Sequence, residues 1–108
     1  MGDIFKTAFD CNMNRDQFDG KFDCSAFVQY CYSQNGKSIP RSSAQIWNQG
    51  QLGDGSIGDI ACWDGHVGIC DGQGNVIHSY HAGHMIVCHP IANVSKWDKR
   101  PLKGYRRF

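Results

Sequence analysis

Long apolar runs are missing from these 108 residues. None approaches the roughly 18 residues of a membrane-spanning helix, so no transmembrane segment is expected. The first residues, Met1 to Asp10, lack a basic stretch followed by an apolar one, and a Sec-type signal peptide is not expected there. Charge of one sign is scarce too. The net charge is +1, which gives no support to a globally basic nucleic-acid binder. Repeats and low-complexity tracts are absent. Hydrophobic residues make up 41% and charged residues 19%, a balance that argues against disorder. The length fits one domain, residues 1–108, able to bury a core without staples.

Six cysteines are present, at positions 11, 24, 31, 62, 70 and 88. Three disulfides are not expected. Cys31, Cys62, Cys70 and Cys88 lie in apolar segments, where a free thiol behaves as a small hydrophobe, and the missing leader points to a reducing origin. One bridge through Cys11 stays open. The basic residues gather late, at Lys96, Lys99, Arg100, Lys103, Arg106 and Arg107. A solvated end strand is the plain account of that cluster; attraction to an anionic polymer is the functional one.

The first half reads as helical. Ile4 to Phe9 forms a short helix, and Cys11 to Lys21 is polar and loop-like. Asp23 is a good N-cap for Cys24 to Gln34, where Phe27, Val28, Tyr30 and Cys31 are spaced for a half-buried face. Asn35-Gly36 ends that helix. Ser42 or Ser43 caps a second short helix through Trp47. Gly50 to Gly58 holds several glycines and reads as a loop. From Asp59 the period becomes strand-like: Asp59 to Trp63, His66 to Asp71 after the Asp64-Gly65 turn, Asn75 to Tyr80, Met85 to His89, and Gly104 to Arg107. Helices followed by an antiparallel sheet of about five strands predict an α+β fold.

The chemistry gathers on Cys24. A nucleophilic thiol needs activation, and the start of a helix offers unpaired N–H groups and the positive end of the macrodipole. The same N–H groups can hold an oxyanion. A buried structural cysteine is the plain alternative, weakened by the polar neighbours Asp23 and Ser25. The base must come from elsewhere in the chain. His66 opens the strand His66-Val67-Gly68-Ile69, with Gly65 and Gly68 permitting close approach, and an imidazole can take the thiol proton and return it to a leaving amine. A surface histidine beside a turn is the alternative. His78 sits on the following strand, where pairing brings it near His66, as a group that would fix the imidazole's tautomer.

These residues resemble the NlpC-type cell-wall peptidases, a papain-like family. Phe22 to Tyr30 resembles the nucleophile motif, and Ile39 to Gln45 the segment that follows it. Gly58-Asp59-Ile60 matches the strand before the base, Gly65 to Ile69 the base strand, and Val76-Ile77-His78-Ser79 the strand with the third polar residue. The resemblance implies a papain-like fold, Cys24, His66 and His78 as the catalytic set, and cleavage of peptidoglycan stem peptides between D-glutamate and a diamino acid. It brings Asp23 and Ser25 to the substrate, and Arg41 matches a recurrent arginine. The chain departs from the family pattern in two places. Ala26 replaces a usual glycine, and a tyrosine often found about a dozen residues before the cysteine is missing. Asn12, Asn14 or Gln17 could offer an amide to the oxyanion instead. The expected setting is a monomer acting on the cell wall, by a non-Sec route, as a phage-borne lysin or as an excised domain, with no nucleic-acid partner and no cofactor.

Other readings compete. His78, His81, His84, Cys88 and His89 crowd together and could bind zinc. The chain could be a catalytically silent binding module, or a same-fold amide hydrolase or acyltransferase with a protein or lipid substrate. Trp47, Trp63 and Trp97 are commonly core residues; Trp63, just before the turn to His66, is the one expected near the cleft and the substrate.

Overall fold

The computed structural model describes residues 2–108. Helices α1 (Gly2–Met13), α2 (Arg15–Phe18), α3 (Cys24–Ser33) and α4 (Ser43–Gln49) come first. Strands β1 (Gln51–Leu52), β2 (Ile60–Trp63), β3 (His66–Cys70), β4 (Asn75–Tyr80) and β5 (Met85–Pro90) follow, with a 3-10 turn, Ala82–His84, before β5. Helix α5 (Ile91–Asp98) and strand β6 (Leu102–Arg107) complete the chain. The sheet runs β1-β6-β2-β3-β4-β5 and its pairings are antiparallel. The fold is α+β, with one strand more than expected. The extra strand, β1, is only two exposed residues paired to Arg106 and Arg107; its existence depends on β6, not on its own sequence.

Helix α3 follows directly from its residues. Asp23 is extended, and its carboxylate accepts the Ala26 N–H at 2.8 Å, which caps the first turn. Phe27, Val28, Cys31 and Tyr32 are fully buried and pack with α1 on one face of the sheet, against Val67, Ile69, Ile77 and Ile86. Burying one such side chain contributes about 1.5–3 kcal/mol.

Helix α1 is longer than the sequence suggests, and α2 occupies part of the expected loop. Ile4, Ala8 and Cys11 recur at helical spacing and are buried, but the polar residues between them conceal the stripe. Helix α5 has no side-chain cap and begins after Pro90. It is held by tertiary contact: Ile91 and Val94 bury against Ala61, Trp63, Cys70 and Val76 on the opposite face of the sheet. The outer edge at β5 is covered, since the Ile86 N–H reaches Asp19 at 2.7 Å and the Gly20 N–H reaches the His84 carbonyl.

The late basic residues are largely engaged. Arg107 grips the fully buried Asp59 carboxylate at 2.8 and 2.9 Å, and Asp59 also accepts the Asp54 and Gly55 N–H groups. That arrangement folds the glycine-rich loop onto the end of β6. Arg106 lies 3.6 Å from the Trp47 ring centroid. All six cysteines, Cys11 included, are free thiols.

Gly68 on β3 is required by space. A Cβ there would collide with the Val76 side chain and come within 2.9 Å of the His78 Cβ. Gly68→Ala should therefore cost about 1–3 kcal/mol. A urea midpoint equal to that of the parent would show that the strands yield.

Candidate active site

Three separate pieces of chain meet at the end of the sheet where β3 begins. The α3 cap delivers Cys24, the tight turn at Asp64-Gly65 delivers His66, and β4 delivers His78. The Ser79 hydroxyl donates to the Phe22 carbonyl, which ties the approach to α3 onto β4. Gly65 turns with φ at +76°, a backbone state that favours glycine. A cavity of about 120 Å³ is lined by Asp23, Cys24, Gly65, His66, Ser79, His81, His84, Asp98 and Arg100. Larger grooves of about 510 and 460 Å³ lie elsewhere, around Phe22, Gln29 and Tyr30 and around Cys11, Gln17 and Phe18. Neither is lined by Cys24 or by a histidine.

Within the small cavity the Cys24 Sγ lies 3.8 Å from the Gly65 carbonyl, one residue before His66. The thiol is half-buried, and burial raises its pKa. The backbone N–H groups of Val67, Ser25 and Cys24 pull it back down. The strongest of these comes from Val67 on β3, with Ser25 and Cys24 at the helix start adding less, and the Asp23 charge works with burial to raise the pKa.

His66 Nε2 and His78 Nδ1 are 2.7 Å apart. The remaining His66 nitrogen, Nδ1, makes no hydrogen bond to the described residues, and none of their buried side-chain nitrogens lacks a partner. Nδ1 is thus the accessible nitrogen of a ring whose other side is fixed. Burial lowers the His66 pKa to about 4, with Asp98 opposing and Arg100 and His81 assisting. Burial, then the neighbouring His66, His89 and His81, lowers that of His78 to about 2. Both rings are neutral at pH 7. The thiol and the imidazole line one cavity, but the thiol's hydrogen bond goes to the Gly65 carbonyl and none joins it to His66 among the described residues. Two neutral groups so placed suit proton transfer once the thiol turns from that carbonyl to the ring.

The expected substrate residues divide. Asp23, Ser25 and Arg41 form one cluster at the start of α3: Arg41 donates to both Asp23 oxygens at 3.2 and 3.0 Å and to the Ser25 hydroxyl at 2.9 Å. The Arg41 bond holds the Asp23 carboxyl below its usual pKa. Trp63 does not line the cavity. It is 2% exposed, donates from Nε1 to the Ser95 hydroxyl, and stands with its ring centroid 5.6 Å from that of His66. It backs the His66 ring. Asn12 and Asn14 bond the Ile86 and Asp10 carbonyls, and Gln17 lines the distant groove; none of the three reaches the cavity. Of the histidines considered for zinc, His78 and His89 touch, but among the described residues no three His, Cys, Asp or Glu side chains are arranged to hold a metal ion.

Sequence reasoning missed Asp98 and Arg100. Asp98 accepts from the Tyr80 hydroxyl at 2.9 Å and meets His81 Nε2 at 3.2 Å, and Arg100 reaches the Asp64 carbonyl. Asp98 ends α5 and Arg100 follows it, so nothing before the fold indicated that they return to the cleft.

Residues 6–106 match the model of the NlpC/P60 family. The chain belongs to this family. A probable endopeptidase of Corynebacterium glutamicum is 42% identical over 93 residues, covering 81% of this chain and 42% of that protein. The chain thus spans less than half the length of the curated relatives it matches. Among solved structures, NlpC2 from Trichomonas vaginalis superposes with a TM-score of 0.75 at 21% identity, over 100% of this chain and 48% of that one. Two Mycobacterium tuberculosis structures share the fold. The peptidoglycan hydrolase RipB has a TM-score of 0.58 at 19% identity, over 80% of this chain and 59% of its own. RipD, described as a non-catalytic NlpC/p60 domain protein adapted to peptidoglycan binding, has a TM-score of 0.60 at 20% identity, over 81% and 87%. The NlpC/P60 fold therefore carries both active and silent sites.

The buried neutral histidines make stability depend on pH. In the unfolded chain both rings take up protons near pH 6.5; in the fold His66 waits until about pH 4 and His78 until about pH 2. Between these limits the unfolded state binds more protons, so stability falls as pH falls below 6.5. The urea midpoint should be lower at pH 5 than at pH 8, and His78→Asn should flatten that slope. An equal slope in the variant would remove His78 as its source.

Proposed function

We propose that residues 1–108 form a single cysteine peptidase domain that hydrolyses amide bonds in peptidoglycan stem peptides, with the D-glutamyl–diamino acid bond as its target. One observation carries this: Cys24 and His66, the latter with its accessible Nδ1, line the same cavity while His78 holds the far side of the imidazole. The endopeptidase name of the relative from Corynebacterium glutamicum and the fold shared with a peptidoglycan hydrolase support it.

In this mechanism the Cys24 sulfur attacks the amide carbonyl carbon, and the thiol proton passes to His66 Nδ1. N–H groups around the sulfur, from Cys24, Ser25 and Val67, receive the developing oxyanion. The imidazolium then protonates the leaving amine, and the C–N bond breaks to give a thioester. Water, losing its proton to His66, attacks the thioester and returns the thiol and a free acid. Asp23, Ser25 and Arg41 hold the stem peptide on the acyl side. His78 acts through His66, keeping the proton on Nε2.

Cys24→Ala removes little volume and should keep the fold while lowering release of new amino termini from purified peptidoglycan at least about a thousandfold. Undiminished release would end the assignment. His78→Ala should be milder than His66→Ala. The silent-module reading is separated by thiol reactivity. Cys24 and the exposed Cys88 should alkylate with iodoacetamide, the buried four should not, and His66→Ala should slow Cys24 while sparing Cys88. Indifference of Cys24 to His66 would favour a binding module.

A further inference from the structure

The row of imidazoles does not stop at His78. His78 Nε2 lies 3.0 Å from His89 Nδ1, so three rings run His66–His78–His89 diagonally across β3, β4 and β5. In the β4–β5 register His78 opposes Val87 and Val76 opposes His89, which puts His89 one diagonal step from His78 on the same face. Gly68, opposite His78, leaves the space taken by the Val76 side chain and the His78 Cβ.

A neutral imidazole has one N–H and one lone pair. His78 is completely buried and both its nitrogens face other imidazoles, so the row has two proton orders. In one, His66 Nε2–H donates to His78 Nδ1 and His78 Nε2–H donates to His89 Nδ1, leaving His66 Nδ1 bare. In the other, each bond reverses, and the single proton of His66 sits on Nδ1, where it blocks transfer from the thiol. His89, the most exposed member, selects between them. Accepting at Nδ1 enforces the first order. A protonated His89 has only donors and enforces the second.

We infer that His89 is a positioning residue of this site, setting the tautomer of His66 through His78. The inference rests on the Cys24–His66 reading proposed above. His89 is placed for the role. The Trp97 ring of α5 meets it edge-on, 4.9 Å between centroids at 87°, and Tyr80 of β4 lies 5.3 Å away. The titratable groups facing it are His78 and Tyr80, both on β4; α5 contributes Trp97. Among the described residues no ion pair includes His89. Burial lowers its pKa from the ordinary value, which extends the range over which it remains an acceptor.

The test reads the tautomers directly, by two-bond proton–nitrogen correlation on protein carrying 15N-labelled histidine. At pH 7.5 His66 and His78 should both carry the proton on Nε2. As His89 takes up its proton, the His66 and His78 protons should move to Nδ1. In His89→Phe the His66 tautomer should become mixed, and Cys24 alkylation in a Cys88→Ser background should slow about tenfold or more. His89→Asn, whose side-chain oxygen can accept in place of Nδ1, should restore the rate and lose the acid-side dependence. Unchanged tautomers during the titration of the parent protein would overturn the inference, and that measurement needs no variant to fold. Tautomers that respond as described while Cys24→Ala still cleaves peptidoglycan would overturn the catalytic reading instead, and with it the role given to His89.

Discussion

Everything at this site depends on the antiparallel register of β3, β4 and β5. Side chains alternate across a sheet with a period of two, so a slip of one residue would turn His78 toward the α3 side. In the register found, His66, His78 and His89 share one face and touch ring to ring. Ile77 and Ile86 point the other way into the main core. The same choice that buries the aliphatic side chains therefore aligns the imidazoles. Gly68 is the local condition for it, because any side chain there would occupy the space of Val76 and His78.

Cys24 is brought to this row from outside the sheet. The Asp23 cap starts α3 in the right place, and the Ser79–Phe22 bond fastens that start to β4. Arg41 then braces the cap by gripping Asp23 and Ser25 together. Desolvation is the cost of this enclosure: it raises the thiol and depresses the imidazoles. Two neutral groups result, so in the proposed reaction charge separates only as the sulfur attacks. That differs from an exposed thiolate waiting at a helix end, and it makes the proton position on His66 decisive.

Local signals made α3, its Asp23 cap and the Asn75–Tyr80 strand legible, because each rests on residues close in sequence. The expected pairing of His66 with His78 came from counting across one turn, which short hairpins make reliable. Helix α5 and strand β1 were not legible. The first gains its stability from Ile91 and Val94 against the far face of the sheet, the second from β6 alone. Trp63, expected near the cleft, stands beside His66 but faces the α5 layer. A strand position gives proximity to a turn; only the pleat and the neighbouring layer give the side chain's exposure.

The sequence by itself determined the α+β order, the cap before Cys24, and the family resemblance, because periodicity, turn residues and motif spacing are properties of neighbouring positions. The tertiary structure alone decided that Asp98 and Arg100 return to the Cys24 cavity and that His89 continues the imidazole row. Those meetings depend on strand register and on the packing of α5, which sum weak contacts over the whole sheet. No short stretch of chain contains that sum.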